Sequence, residues 1–162
     1  AGIVALYSNN TERMRIDNTG AVTMPYQPAF QVGASQLNNL TINVAHTIVW
    51  GSEIFDTGVD FTSNTFTAPV TGKYNLTANL RVDNLDSSAS YYMLKIVTSN
   101  RTYITIYDFQ GDPTYWHPTL AVLADMDAGD IAYVTFQQNG GAAQTDIDGD
   151  AKYSNFSGYL VA

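Results

Sequence analysis

The chain has 162 residues, no cysteine and a net charge of −8, its seven Lys and Arg scattered from Arg13 to Lys152. That length suits one domain with a short appendage, and burying roughly 70% of the unfolded chain's surface gives a core without disulfides or thiolate metal sites. The acidic balance excludes nucleic acid, whose binding needs a basic footprint, and no run is apolar enough to insert in a membrane or to serve as a signal segment.

In chain order, the first predicted elements are a strand at residues 13–17, a turn at Asn18-Thr19-Gly20 and a strand at residues 21–24. A boundary falls at Pro25 to Pro28, giving a β-hairpin segment over 1–27 and a larger domain over 28–162. A lone hairpin is marginal in water, so this one must pack on the main domain, on a neighbouring copy or on upstream sequence. Starting on Ala, the chain reads as a processed product or a fragment of something longer.

Beyond the boundary the apolar residues alternate, as strands require. Tyr74, Leu76, Ala78, Leu80 and Val82 form one such run; others are Met93 or Leu94 through Ile96, Tyr103 to Tyr107, and Ile131, Tyr133 and Phe136. Turn residues separate them at Pro69 to Gly72, Asp83 to Ser90, Gly111-Asp112-Pro113, Ala128-Gly129-Asp130, Gly140-Gly141 and Gly149. Many short strands at this spacing predict an all-β antiparallel sandwich or barrel. The last strand, from Phe156 to Val161, is apolar at a chain end, where fraying is the rule unless the strand is covered.

The landmarks also come in a specific order. "PAFQVGA" at 28–34 is followed by Phe66, Pro69, Gly72 and Tyr74 in a Phe-x-x-Pro-x-x-Gly-x-Tyr pattern, then by the turn from Met126 to Asp130 and the closing Phe-Ser-Gly-Tyr-Leu at 156–160. This resembles the globular head of complement subcomponent q, in the tumour necrosis factor-like jelly-roll superfamily, over residues 29–162. The resemblance implies a jelly-roll β-sandwich and a homotrimer, with the last strand in an inner sheet near the subunit contacts. Phe156, Tyr159 and Val161 are then the expected trimer-interface residues. The segment "TERMRIDNTGAVTM" departs from the collagen stalk of complement relatives and resembles β-stretches that precede the ends of phage fibre and virion appendage proteins.

Several clusters are candidate sites. Asp146, Asp148 and Asp150 suggest calcium, but Gly149 precedes the third acidic position and no glutamate closes the loop, so an EF-hand is excluded. A looser oxygen cage there, or at Asp83 and Asp86, stands against a plain solvated turn; the resemblance adds that some relatives bind calcium at the trimer end. Tyr115, Trp116 and His117, between Pro113 and Pro118, suit sugar stacking or a partner hot spot on an exposed loop, or else packing. Catalysis has little support: His46 and His117 are the only imidazoles, and no Gly-x-Ser-x-Gly or His-Glu-x-x-His motif is present.

The expectation is a non-enzymatic trimeric head of a virion fibre, extracellular, with other fibre components and a host-surface glycan or protein as partners. A secreted complement-like adhesive domain is the alternative, and a glycan-cleaving appendage the third reading.

Overall fold

The computed structural model describes residues 2–161, and among them there is no helix. The N-terminal segment is a meander of β1 (Val4–Ser8), β2 (Thr11–Ile16) and β3 (Val22–Thr23), one strand more than the hairpin expected. The extra strand follows from Asn9 and Asn10, both at positive φ (52° and 58°), which close a two-residue turn of the type whose twist matches paired strands. The turn from β2 to β3 is built on Asp17, whose carboxylate accepts from Thr19 Oγ1 and from the backbone N–H groups of Thr19 and Ala21.

The main domain comprises β4 (Ala29–Ala34), β5 (His46–Thr47), β6 (Trp50–Asp56), β7 (Phe61–Thr62), β8 (Thr65–Thr67), β9 (Gly72–Asn79) and β10 (Val82–Asp83). There follow β11 (Ala89–Thr98), β12 (Thr102–Tyr107), β13 (Tyr115–Trp116), β14 (Thr119–Met126), β15 (Ile131–Gly140), β16 (Asp146–Ile147) and β17 (Asn155–Leu160). One sheet has the order β14-β9-β17-β4-β6 and faces a second of order β12-β11-β15-β8-β7, with β5 also on β15; all pairings are antiparallel. A small third sheet, β13-β10-β16, lies beyond the ends of these strands.

Period-two alternation accounts for the core. Along β9, Tyr74, Leu76 and Ala78 are fully buried while Asn75, Thr77 and Asn79 face outward and are half-buried. The facing sheet contributes Tyr92, Leu94 and Ile96 from β11 and Ala132, Val134 and Phe136 from β15. In β15 the inward frame is thus one residue away from the Ile131 and Tyr133 expected; Ile131 points outward just past the turn. Phe30, Phe61, Phe66, Trp50 and Phe156 stack through the middle, with Phe30 4.7 Å from Phe66 and 5.1 Å from Phe156.

Phe156 therefore corrects an expectation: it is wholly buried within one protomer and offers no surface to another. The reason is pleat phase, because Phe156 points inward on the strand from which Ser157 and Tyr159 point out. Gly158 lets that strand sit close. A Cβ there would lie 2.6 Å from Leu76 Cδ2 and 2.7 Å from Phe30 Cε1.

Candidate functional site

The sheet register fixes which parts of the chain meet at each end of the sandwich. At one end, Tyr159 pairs with both Ala29 and Asn75, so the domain's chain enters and leaves side by side. At the opposite end, Asn155 pairs with Gly33 and Asn79, and Asn79 with Thr119. Just past this far end lie Arg81 after β9, His117 before β14 and Tyr153 before β17. Three neighbouring strands thus deliver three side chains to one place.

Together with Tyr115 of β13, these residues line a cleft of about 200 Å³. The Arg81 guanidinium carbon sits 5.2 Å from the Tyr115 ring centroid and 5.1 Å from that of Tyr153. Its Nε donates to Asp83 Oδ1 at 3.0 Å and its Nη1 lies 3.4 Å from Asp148 Oδ2. The hydrogen bond to Asp83 raises the guanidinium pKa further above its ordinary value. The backbone N–H of Arg81 donates to the buried Ser154 hydroxyl at 3.0 Å, so both the main chain and the fork are held. His117 Nε2 lies 2.7 Å from the carbonyl oxygen of Tyr153, with the two rings edge to face. Since a carbonyl can only accept, this nitrogen carries the proton.

Tyr115 and Trp116 were expected to act together, and the structure separates them. They are consecutive on β13 and so point to opposite sides. Tyr115 is 60% exposed over Arg81, whereas Trp116 turns in to pack 5.4 Å from Phe109 and 5.7 Å from Tyr107, near Tyr92. Of the two roles weighed for this loop, Trp116 has the packing one. Arg81 and Tyr153 carried no signal of their own in the sequence. The one hint is a scarce cation standing in an outward position of an apolar alternation.

The expected calcium ligands are not gathered into a cage. Asp83 and Asp148 hold Arg81; Asp150 pairs with Lys152 at 2.5 Å, which lowers its pKa; Asp146 accepts from Asn39 N at 2.6 Å and Asn84 Nδ2 at 2.7 Å. Asp86 accepts from Ser88 and from the backbone of Ala142 and Ala143, and these bonds hold its carboxyl well below the usual range. Among the described residues no three His, Cys, Asp or Glu side chains converge as metal ligands. Each carboxylate has N–H or cationic partners of its own. His46, like His117, bonds a backbone carbonyl (Thr41 O, 2.9 Å) rather than a carboxylate, so neither is arranged as a general base in a triad.

The outward face of the β14-β9-β17-β4-β6 sheet is mixed. One cross-strand row reads Tyr159, Asn75, Leu123, with Tyr159 52% and Leu123 57% exposed; the next reads Phe55, Gln31, Ser157, Thr77, Ala121. Val161, beyond β17, is about half exposed.

The profile of the C1q domain matches residues 29–161, the whole sandwich. The chain belongs to the C1q domain family. Among solved structures, this C1q domain is similar to the globular domain of zebrafish complement 1qA, with a TM-score of 0.61 at 15% identity over 84% of this chain and 98% of that one. It is also similar to murine APRIL, with a TM-score of 0.59 at 11% identity over 83% and 99%. At such identities the likeness speaks to the fold alone, a jelly-roll sandwich. No curated protein matches the chain. C1q and tumour necrosis factor-like domains are typically extracellular, non-enzymatic recognition domains and commonly form homotrimers. No helix among the described residues is long and apolar enough to cross a membrane.

Proposed function

We propose that this C1q domain is the homotrimeric head of a virion fibre or appendage, and that the end of the sandwich remote from the entering and leaving chain recognises a host surface. The observation that carries the reading is polarity. Ala29 and Leu160 share one end, where a shaft attaches, while the cleft of Arg81, Tyr115, His117 and Tyr153 occupies the other.

Trimerisation takes support from two unpartnered faces. The row of Tyr159 and Leu123 exposes large apolar side chains on the inner-type sheet. In the meander, Val4 pairs with Ile16, Ile16 with Val22, and Leu6 with Met14, which puts five apolar residues on one side of a thin sheet. Val4, Leu6 and Val22 are each more than half exposed. Three copies about one axis cover both faces with closed symmetry. The meander's resemblance to phage fibre segments supports the viral setting. Light scattering of the purified chain should give about three times its 17.7 kDa mass, and the labelled head should bind host cells. A monomer at micromolar concentration, or a trimer that binds no host cell, overturns the reading.

The family itself favours a second reading, a secreted adhesive domain of a cell. It shares the trimer and the cleft and differs in the sequence encoded upstream: a collagen repeat supports it, a β-rich shaft supports the fibre.

A further inference from the structure

We infer that the far-end cleft takes one neutral pyranose unit of a surface glycan, its C–H face against Tyr115 and its hydroxyls held by Arg81, His117 and Tyr153. This deepens the recognition reading above and rests on it.

Size comes first. At about 200 Å³ the cleft is smaller than the 300–1,000 Å³ of sites for drug-sized ligands, so it suits a single ring at the end or the edge of a larger molecule. Its walls combine an exposed aromatic ring with a planar hydrogen-bonding fork. A pyranose offers the matching pair of surfaces, a patch of C–H groups on one side and hydroxyls around the rim.

Charge then narrows the class. Arg81 already has Asp83 and Asp148 as partners, and Lys152 has Asp150, so three carboxylates stand against two cations around the cleft. The chain as a whole carries −8. A sialic acid, uronic acid or phosphate would meet a guanidinium whose charge is compensated and a field of its own sign. A quaternary ammonium would be repelled by the cations already beside the rings, Arg81 at both tyrosines and Lys152 4.6 Å from the Tyr153 centroid. An apolar ligand would strand the polar walls. A neutral polyol with one apolar face meets none of these objections.

The polar groups are also held in place before any ligand arrives. Arg81 is fixed by Asp83, by Asp148 and by its own N–H to Ser154, while its Nη2 makes none of these bonds. His117 is held through Nε2, which donates to Tyr153 O. Guanidinium, imidazole and phenol side chains thus line one ring-sized space. Such preorganisation lowers the ordering cost of binding a small ligand.

Saturation-transfer NMR on the full chain tests this with methyl glycosides of glucose, galactose, mannose and N-acetylglucosamine, beside N-acetylneuraminic and glucuronic acids. At least one neutral glycoside should bind, with the strongest transfer to ring C–H protons. Tyr115→Ala should weaken it about tenfold or more, with unchanged trimer mass and melting temperature; His117→Ala should weaken it as well. Binding by none of the neutral glycosides, by the acids alone, or unaffected by Tyr115→Ala overturns the inference. Host-cell binding before and after periodate treatment separates the two levels. Attachment that survives periodate, with no glycoside bound, overturns the glycan and leaves the recognition head standing. Glycoside binding without any cell attachment supports the cleft and overturns the head's proposed role.

Discussion

The carboxylate of Asp86 accepts the backbone N–H of Ala142 at 2.6 Å, and through the same oxygen that of Ala143 at 2.8 Å, tying the turn after β10 to the turn after β15. Its other oxygen takes both the N–H and the hydroxyl of Ser88. Every partner is a donor. Asp86→Asn is the same size yet must turn an NH2 group toward one of the two donor pairs, so it should lower the melting temperature at neutral pH.

The sign with pH follows from the depressed pKa. The folded value lies below the unfolded one, near 3.9, so the stabilisation is complete above the unfolded pKa and fades as pH falls toward the folded one. Melting curves from pH 7 to pH 2 should show parent and Asn variant converging below about pH 4. A gap that stays constant would mean the carboxylate is not the source of the difference.

Gly158→Ala should cost about 1–3 kcal/mol, the usual range for forcing a methyl into a packed core. The new Cβ meets Leu76 and Phe30, both fully buried and unable to withdraw without moving the aromatic stack. Equilibrium denaturation in urea reads this directly, and a neutral result would show that β17 can shift away from β9.

That close approach was legible in the sequence, since a glycine inside an otherwise apolar final strand implies something large beside it. The run Tyr74 to Val82 was legible for the same reason: period-two patterning is written locally. So was the turn before it, where Tyr74 donates its hydroxyl to Val70 O at 2.7 Å. What could not be read was phase and convergence. Phe156 and Tyr159 lie on opposite sides of one strand because of its pleat, and no composition reveals which side faces in. Arg81, His117 and Tyr153 meet only because β9, β14 and β17 are neighbours, a property of topology rather than of any local motif.

Trp116→Ala and Tyr115→Ala make a matched pair on adjacent positions. Trp116 packs among Tyr107, Phe109 and Tyr92, so its loss should cost about 2–4 kcal/mol, somewhat under the figure for a fully buried Trp. Tyr115 is mostly exposed and should change stability by no more than about 0.5 kcal/mol. Equal effects on the two melting curves would contradict the opposed orientations.

Tyr159→Glu places a charge on the exposed face of β17 without touching the core. It should shift the chain from trimer to monomer in light scattering while the far-ultraviolet β signature is retained. Phe156→Ala should instead lower stability by about 3–5 kcal/mol. A trimer unaffected by Tyr159→Glu would move the subunit contact off this face.

Calcium should leave the protein indifferent. The five carboxylates once expected to bind it are occupied by Arg81, Lys152 and N–H donors, and a cation would have to displace them. Melting in millimolar calcium and in chelator should coincide; a ligand bound at a hundred times its Kd would add about 2.7 kcal/mol and be plainly visible.

Because the sandwich is entered at Ala29 and left at Leu160 on the same side, the loops of the other side carry no covalent load. The domain is in effect a cassette. If the domain is the fibre head proposed above, recombination at residues 25–28 can move it to a different shaft without disturbing the far-end cleft. Drift at Tyr115, His117 or Tyr153 can then change the cleft without disturbing the joint. Attachment and preference can therefore evolve on separate schedules.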